Sequence, residues 1–111
     1  MATPLYQAKA EFFRTLGHPV RIRVLELLSE QDHAVHELLA AIAVEPSNLS
    51  QQLAVLRRAG LVRQSREGGQ VVYSVSVPEV RELLVVARRI LVGVLEEQSV
   101  LKQELTPESS P

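Results

Sequence analysis

The sequence predicts a mainly helical domain that carries one small β-hairpin. Apolar residues recur at spacings of three and four along five stretches of the chain, which is the spacing of one α-helical face. Two short β-prone runs are separated by a segment containing Gly68 and Gly69, and paired glycines permit the positive φ angles of a hairpin turn. The chain has 111 residues, the size of one domain.

The first three helices follow from this spacing and from the residues that interrupt it. A first helix is predicted over residues 5–16. Pro19 opens a second helix over residues 19–29, because a proline at the first helical position loses no hydrogen bond. Asp32 is suited to cap a third, short helix over residues 34–43.

The fourth helix is predicted within Pro46 to Ala59. It follows a turn made of proline and polar residues, and its apolar period restarts at Leu49, Leu53 and Leu56. These leucines are expected to face the core. Two short helices joined by about four residues are the signature of a helix-turn-helix, so this fourth helix is the candidate recognition helix.

The rest of the chain predicts a wing and a long last helix. Strands are expected at residues 61–65 and 71–75, and a hairpin that follows a helix-turn-helix is a wing. The last helix, residues 78 to about 104, is apolar around more of its girth than one face of a monomer requires. One winged helix-turn-helix domain therefore spans residues 1–104, with a disordered tail at residues 105–111.

Composition excludes several classes of function. The sequence contains no cysteine, which excludes disulfides, thiolate metal sites and cysteine nucleophiles. It has no glycine-rich phosphate loop and no dense carboxylate pair, so an enzyme is not expected. It also shows neither a secretory signal nor an apolar run of membrane-spanning length, so we expect a soluble, cytoplasmic protein without membrane contact.

Charge is distributed unevenly along the chain. The formal net charge is -1, yet residues 46–76 hold four arginines and one glutamate, which makes this segment net positive. A local basic patch is what attraction to phosphate requires. The alternative, that the arginines form a solvated face without a ligand, remains open on charge alone.

Three strings, in this order and spacing, resemble the ArsR/SmtB arsenic-repressor family. They are LGHPVRIRVLELL at residues 16–28, SNLSQQLAVLRRAGLV at residues 47–62 and REGGQVVYSV at residues 66–75. The resemblance covers about residues 5–104. It implies a homodimeric repressor that places two recognition helices in successive major grooves of double-stranded DNA, with dimer contacts made by the first and last helices.

The resemblance and the position of each side chain together suggest the DNA contacts. The start of the fourth helix suits phosphate, and its exposed first turns suit base edges. Gln51 is the first candidate for base reading, because a glutamine amide can bind adenine through both of its polar atoms. The arginines suit phosphate, and Arg66 in the wing also suits insertion into the minor groove. The predicted DNA-binding residues are Ser47, Asn48, Ser50, Gln51, Gln52, Arg57, Arg58, Arg63 and Arg66.

A dimer is predicted because an unpaired last helix would leave a large apolar patch exposed. Two-fold symmetry then sets two recognition helices about one helical turn apart on a pseudopalindromic operator. The predicted dimer contacts are Leu5, Phe12, Leu83, Leu84, Ala87, Leu91, Val94 and Leu95.

The inducing signal is not evident from the sequence. Relatives of this fold often bind metals through cysteines on the third helix or through Asp and His on the last, and neither set is present. His33 and His36, beside Glu37, are weak metal candidates because a spacing of three places two imidazoles on one helix face. We expect no cofactor and a signal that is not thiol-based. A His-based metal sensor and a winged-helix scaffold that acts through protein contacts are the alternatives.

Overall fold

A computed structural model describes residues 2–105. Its elements follow the predicted order, and the mainly helical fold class is confirmed. No helix within the described range is long and apolar enough to cross a membrane. The helices are α1 (Leu5–Leu16), α2 (Pro19–Glu30), α3 (Val35–Ala41), α4 (Pro46–Arg58) and α5 (Glu79–Leu105), and the strands are β1 (His33–Ala34), β2 (Val62–Glu67) and β3 (Gln70–Val75).

The described residues divide into two units. Residues up to Arg81 form the first unit, which contains the hydrophobic core, and the residues from Glu82 onward form the second, which is the remainder of α5. Within the first unit α2 packs against both α4 and β3. The side chains buried most completely in it are Val24, Leu25, Leu38, Leu49, Leu53, Leu56 and Val80.

The start of α2 was predicted correctly. Pro19 is the first residue of the helix, and Nδ1 of His18 accepts a hydrogen bond from the backbone N–H of Val20 at 3.2 Å. A side chain before the first helical residue that accepts from the first turn is an N-cap, because it satisfies a donor that has no partner within the helix.

The sheet has one strand more than predicted. His33 pairs with Tyr73 and Ala34 with Val72, so β1 adds to β3 on the side opposite β2. The sequence predicted a polar break and the start of a helix here. A strand of two residues has no measurable period, and its partner lies far along the chain, so local pattern could not reveal it.

The hairpin turn is tighter than predicted. Glu67 pairs with Gln70, so only Gly68 and Gly69 remain unpaired, whereas the sequence left five residues between the strands. Their φ angles are 58° and 81°. Positive φ at both central residues belongs to the type I′ turn, whose twist matches that of the flanking strands. Two glycines therefore allow the shortest connection between β2 and β3.

The cap of α3 differs from the prediction. Asp32 does not cap the helix. The N-cap residue is Ala34, whose backbone N–H donates to Oε1 of Glu37 at 2.7 Å. This hydrogen bond is the largest cause of a lowered pKa for Glu37, and the charges of His33 and His36 lower that pKa further.

The last helix reaches slightly further than predicted. Leu105, the first residue of the predicted disordered tail, is helical, and the other residues of that tail lie outside the described part of the chain.

The lowered pKa of Glu37 predicts that its contribution to folding depends on pH. A carboxyl whose pKa is lower in the folded than in the unfolded state stabilises the fold above its usual pKa of 4.5, and that contribution is lost as the pH falls through the folded pKa. We expect Glu37→Gln to lower the Tm at pH 7, and we expect this difference to shrink as the pH is lowered below 4.5. A difference in Tm of constant size would indicate a contribution that does not depend on the charge of Glu37 and would contradict this assignment.

Candidate nucleic-acid interface

A four-residue turn connects α3 to α4. Residues 42–45 occupy it, and Pro46 is the first residue of α4. Ile42 is buried and Val44 half-buried, so the turn is anchored by its own apolar side chains. Two short helices with this connection form a helix-turn-helix, as the sequence predicted.

The apolar stripe of α4 sets which side chains face outward. Leu49, Leu53 and Leu56 are at most 2% exposed. Because these residues recur at spacings of four and three, their burial fixes the rotation of α4 about its axis. The polar side chains of α4 that are exposed at its start are Ser47, Ser50 and Gln51, and those exposed at its end are Arg57 and Arg58.

Gln52 does not belong to this exposed surface, and the prediction of its exposure was wrong. Only 8% of the residue is accessible. Its Oε1 accepts a hydrogen bond from Nε of Arg21 at 2.8 Å, and its Nε2 donates to Oδ1 of Asn48 at 2.9 Å. Both ends of the amide are therefore bonded within the protein, and Gln52 is best described as a structural link between α2 and α4.

Arg21 is a residue of this region that the sequence did not single out. Besides Gln52 it binds the end of α1, since Nη1 of Arg21 donates to the backbone oxygen of Thr15 at 3.0 Å. Its place within the string HPVR was the available signal, because a basic residue in an otherwise apolar first turn of a core helix needs a polar partner. One guanidinium thus joins α1, α2 and α4.

The wing carries two of the predicted arginines. Arg63 and Arg66 lie on β2, which is exposed on both faces after Val62. Nη1 of Arg66 lies 3.4 Å from the backbone oxygen of Gly69 at the turn, and Oη of Tyr73 donates to Oε1 of Gln64 at 2.9 Å. A strand without a buried face beyond its first residue contributes little to the core, and the side chains of Arg63 and Arg66 are exposed to solvent.

Among the described residues, the basic side chains of α4 and the wing have no acidic partners. Within residues 2–105 the ion pairs are Arg14 with Glu11, Arg23 with Glu26 and His33 with Glu37. The four arginines of residues 57–66 take part in none of these pairs. Their charges are therefore available to attract an anionic partner.

His33 and His36 are not on one helix face. His33 lies on β1, its Nδ1 is 3.6 Å from Oε1 of Glu37, and His36 is exposed on α3. Among the described residues no three His, Cys, Asp or Glu side chains are grouped so as to hold a metal ion. The spacing argument for this metal candidate was therefore wrong, because β1 ends where α3 begins.

The chain is similar to known bacterial regulators along most of its length. The sequence model of the bacterial regulatory proteins of the arsR family matches residues 18–64. An HTH-type transcriptional regulator of Mycobacterium tuberculosis is 53% identical over 103 residues, which are 92% of this chain and 90% of the relative. The crystal structure of that same protein is similar with a TM-score of 0.81, at 55% identity over 88% of this chain and 99% of the other.

Two further solved structures share the fold. The transcriptional repressor BigR of Xylella fastidiosa is similar with a TM-score of 0.71, at 33% identity over 77% of this chain and 87% of the other. A homodimeric winged helix-turn-helix DNA-binding domain of Mycobacterium bovis, a possible ArsR-family transcriptional regulator, has a TM-score of 0.73, at 26% identity over 84% and 86% of the two chains.

These comparisons confirm the resemblance, the winged helix-turn-helix fold and the exclusion of an enzyme, since the family consists of transcription regulators. The identity to the Mycobacterium tuberculosis regulator extends over nearly the whole of both chains. The chain belongs to the arsR family of bacterial regulatory proteins.

Proposed function

We propose that this regulator is a homodimeric repressor that binds a pseudopalindromic operator in the cytoplasm. The observation that carries the proposal is the outward polar face of α4, which is held by the buried leucines and followed by arginines that have no acidic partner within residues 2–105. A polar helix of this kind suits the major groove, and exposed arginines suit phosphate. An apolar or acidic surface at the same place would instead favour a protein partner.

We assign separate roles within the DNA surface. Ser47, together with Asn48, is placed at the start of α4 to contact phosphate. Ser50 and Gln51 are exposed on the next turn and would meet base edges. We leave Gln52 out of the contacting set because its amide is bonded at both ends. We assign Arg57, Arg58 and Arg63 to phosphate, and Arg66 in the wing to phosphate or the minor groove.

The dimer contacts are assigned to α5 and α1. In the second unit large apolar side chains of α5 are exposed, among them Leu91 at 58% and Leu95 at 55%. Of the predicted contacts on α1, Leu5 is exposed and Phe12 is half-buried, edge to face with the exposed Phe13. A partner that covers these residues would remove apolar area from water. The Mycobacterium bovis domain of the same fold is a homodimer.

A pair of substitutions separates base reading from phosphate attraction. We expect Gln51→Ala to cost about 1–3 kcal/mol on the preferred operator and little on unrelated duplexes. We expect Arg58→Ala to weaken binding to every duplex and to reduce the slope of log K against log salt by about 1. The measurement is a salt titration of binding to an operator recovered by genomic-fragment selection and to a scrambled duplex.

The control for that experiment is Arg23→Ala, which removes the same charge from an exposed position on α2 that pairs with Glu26. Binding of this variant should follow the wild type. If Arg58→Ala and Arg23→Ala behave alike, the placement of the basic surface is wrong, and if the wild type binds no DNA, the proposed function is wrong.

The dimer assignment is tested by placing a charge on α5. We expect Leu91→Glu to raise the dimer dissociation constant at least about tenfold, because burying an unpaired carboxylate opposes association. Gln103→Glu adds the same charge at an exposed position of α5 that is not among the predicted dimer contacts, and it should leave the dimer intact. Sedimentation velocity over a concentration series measures both, and equal effects of the two variants would refute the assignment.

We propose that the signal that releases the operator acts without a thiol, because the sequence has no cysteine. A thiol oxidant such as diamide should therefore not release the protein from the operator. Zinc, nickel and cobalt should also leave the complex intact, in the wild type and in the double variant His33→Ala/His36→Ala. Metal-dependent release in the wild type that is lost in the double variant would overturn the preference against a histidine metal sensor.

A further inference from the structure

The orientation of the Asn48 amide is fixed by a chain of hydrogen bonds that begins on another helix. Nε of Arg21 donates to Oε1 of Gln52 at 2.8 Å, and Nε2 of Gln52 donates to Oδ1 of Asn48 at 2.9 Å. Arg21 is itself held by the backbone oxygen of Thr15. These three side chains, Arg21, Gln52 and Asn48, are called the amide relay below.

Only one orientation of the two amide groups satisfies the hydrogen bonds of the amide relay. A guanidinium has donors and no acceptor, so it can meet only the oxygen end of the Gln52 amide. The NH₂ end of Gln52 must then point toward Asn48, where only an oxygen can accept from it. The carbonyl of Asn48 is turned toward Gln52, and its NH₂ group is directed away.

Burial makes this polarity costly to reverse. Gln52 is 8% exposed, so little water can replace a lost partner. Turning its amide around would place two sets of donors against each other at Arg21 and leave a buried mismatch. Asn48 is half-buried, and no hydrogen bond within residues 2–105 uses its Nδ2. The NH₂ group of Asn48 is therefore the end of the relay that is free to bind a partner.

We propose that Arg21 and Gln52 are positioning residues that hold Asn48 as a hydrogen-bond donor toward DNA. The inference rests on the proposed function and adds to it that the Asn48 side chain donates a hydrogen bond to DNA and does not accept one. The partner atom is an acceptor, either a phosphate oxygen or an acceptor on a base edge such as guanine N7 or O6. The two-bond contact of an asparagine amide with adenine is disfavoured, because the carbonyl that it needs faces Gln52.

The variant Gln52→Glu tests the relay by reversing its last step. A carboxylate still accepts from Arg21, so the link between α2 and α4 is kept as an ion pair. It has no donor for Oδ1 of Asn48, however, and it accepts instead from the Asn48 NH₂ group. The carbonyl of Asn48 would then face DNA, where it meets acceptor atoms.

The relay is distinguished from a simple charge effect by a double-mutant cycle with Asn48→Ala. We expect Gln52→Glu and Asn48→Ala each to weaken binding to the selected operator by about tenfold. In the Asn48→Ala background, Gln52→Glu should cause much less further loss, since there is no amide left to turn. Equal losses from Gln52→Glu in both backgrounds would overturn the relay while leaving DNA binding itself intact.

The same cycle on a scrambled duplex identifies the acceptor. A coupling of equal size on both duplexes indicates a phosphate oxygen, because phosphate contacts are independent of sequence. A coupling confined to the selected operator indicates a base edge. Failure of the wild type to bind either duplex would overturn both the proposed function and the relay. A lack of coupling in a protein that still binds DNA would overturn the relay alone.

A measurement on the unaltered protein keeps the test independent of folding of the variants. In side-chain amide NMR of the free protein, the NH₂ protons of Gln52 should exchange slowly with solvent and those of Asn48 rapidly. Addition of the selected operator should slow the Asn48 protons. Slow exchange of Asn48 before DNA is added, with no change afterwards, would show that its NH₂ group is already bonded and would overturn the inference.

Discussion

The packing of α4 against α2 is the constraint on which the polar surface of this protein depends. Leu49, Leu53 and Leu56 are almost completely buried, and a fully buried leucine contributes about 1.5–3 kcal/mol relative to exposure. Rotating α4 about its axis would expose part of this stripe and cost several kcal/mol in total. The outward position of Ser50 and Gln51 is thus a consequence of the leucines that pack in the core.

Apolar packing sets the rotation of α4 about its axis, but apolar contacts do not depend on the orientation of the groups that make them. The orientation-dependent contacts are the hydrogen bonds of Arg21, which lies on α2 and donates to Thr15 on α1 and to Gln52 on α4. Because the guanidinium is planar and its donors are fixed in space, it constrains three helices at once. The hydrogen bonds of Arg21 and the packing of the buried leucines therefore both hold α4 in place.

The leucine period and the helix-breaking residues were sufficient to predict five helices in the right order, and the paired glycines were sufficient to predict the hairpin. Gln52 was wrongly predicted to be exposed because glutamine is polar, although its position in the helix indicates burial. It lies three residues after Leu49 and four before Leu56, which is the spacing of the buried stripe itself. A glutamine at a core position requires a buried partner, and Arg21 is too distant in sequence for a local pattern to reveal it. The pairing of His33 with Tyr73 escaped prediction for the same reason.

The two-residue turn of the wing has a consequence for how tightly a partner can be held. Gly68 and Gly69 are the only residues of the hairpin outside the ladder, so the wing has almost no slack. Most of the backbone conformational entropy of the hairpin is already lost on folding, and little of it remains to be lost on association. A longer tip with identical arginines would present the same charges at a greater entropic penalty. If the wing contacts DNA as proposed, its short turn therefore keeps the entropic cost of that contact small.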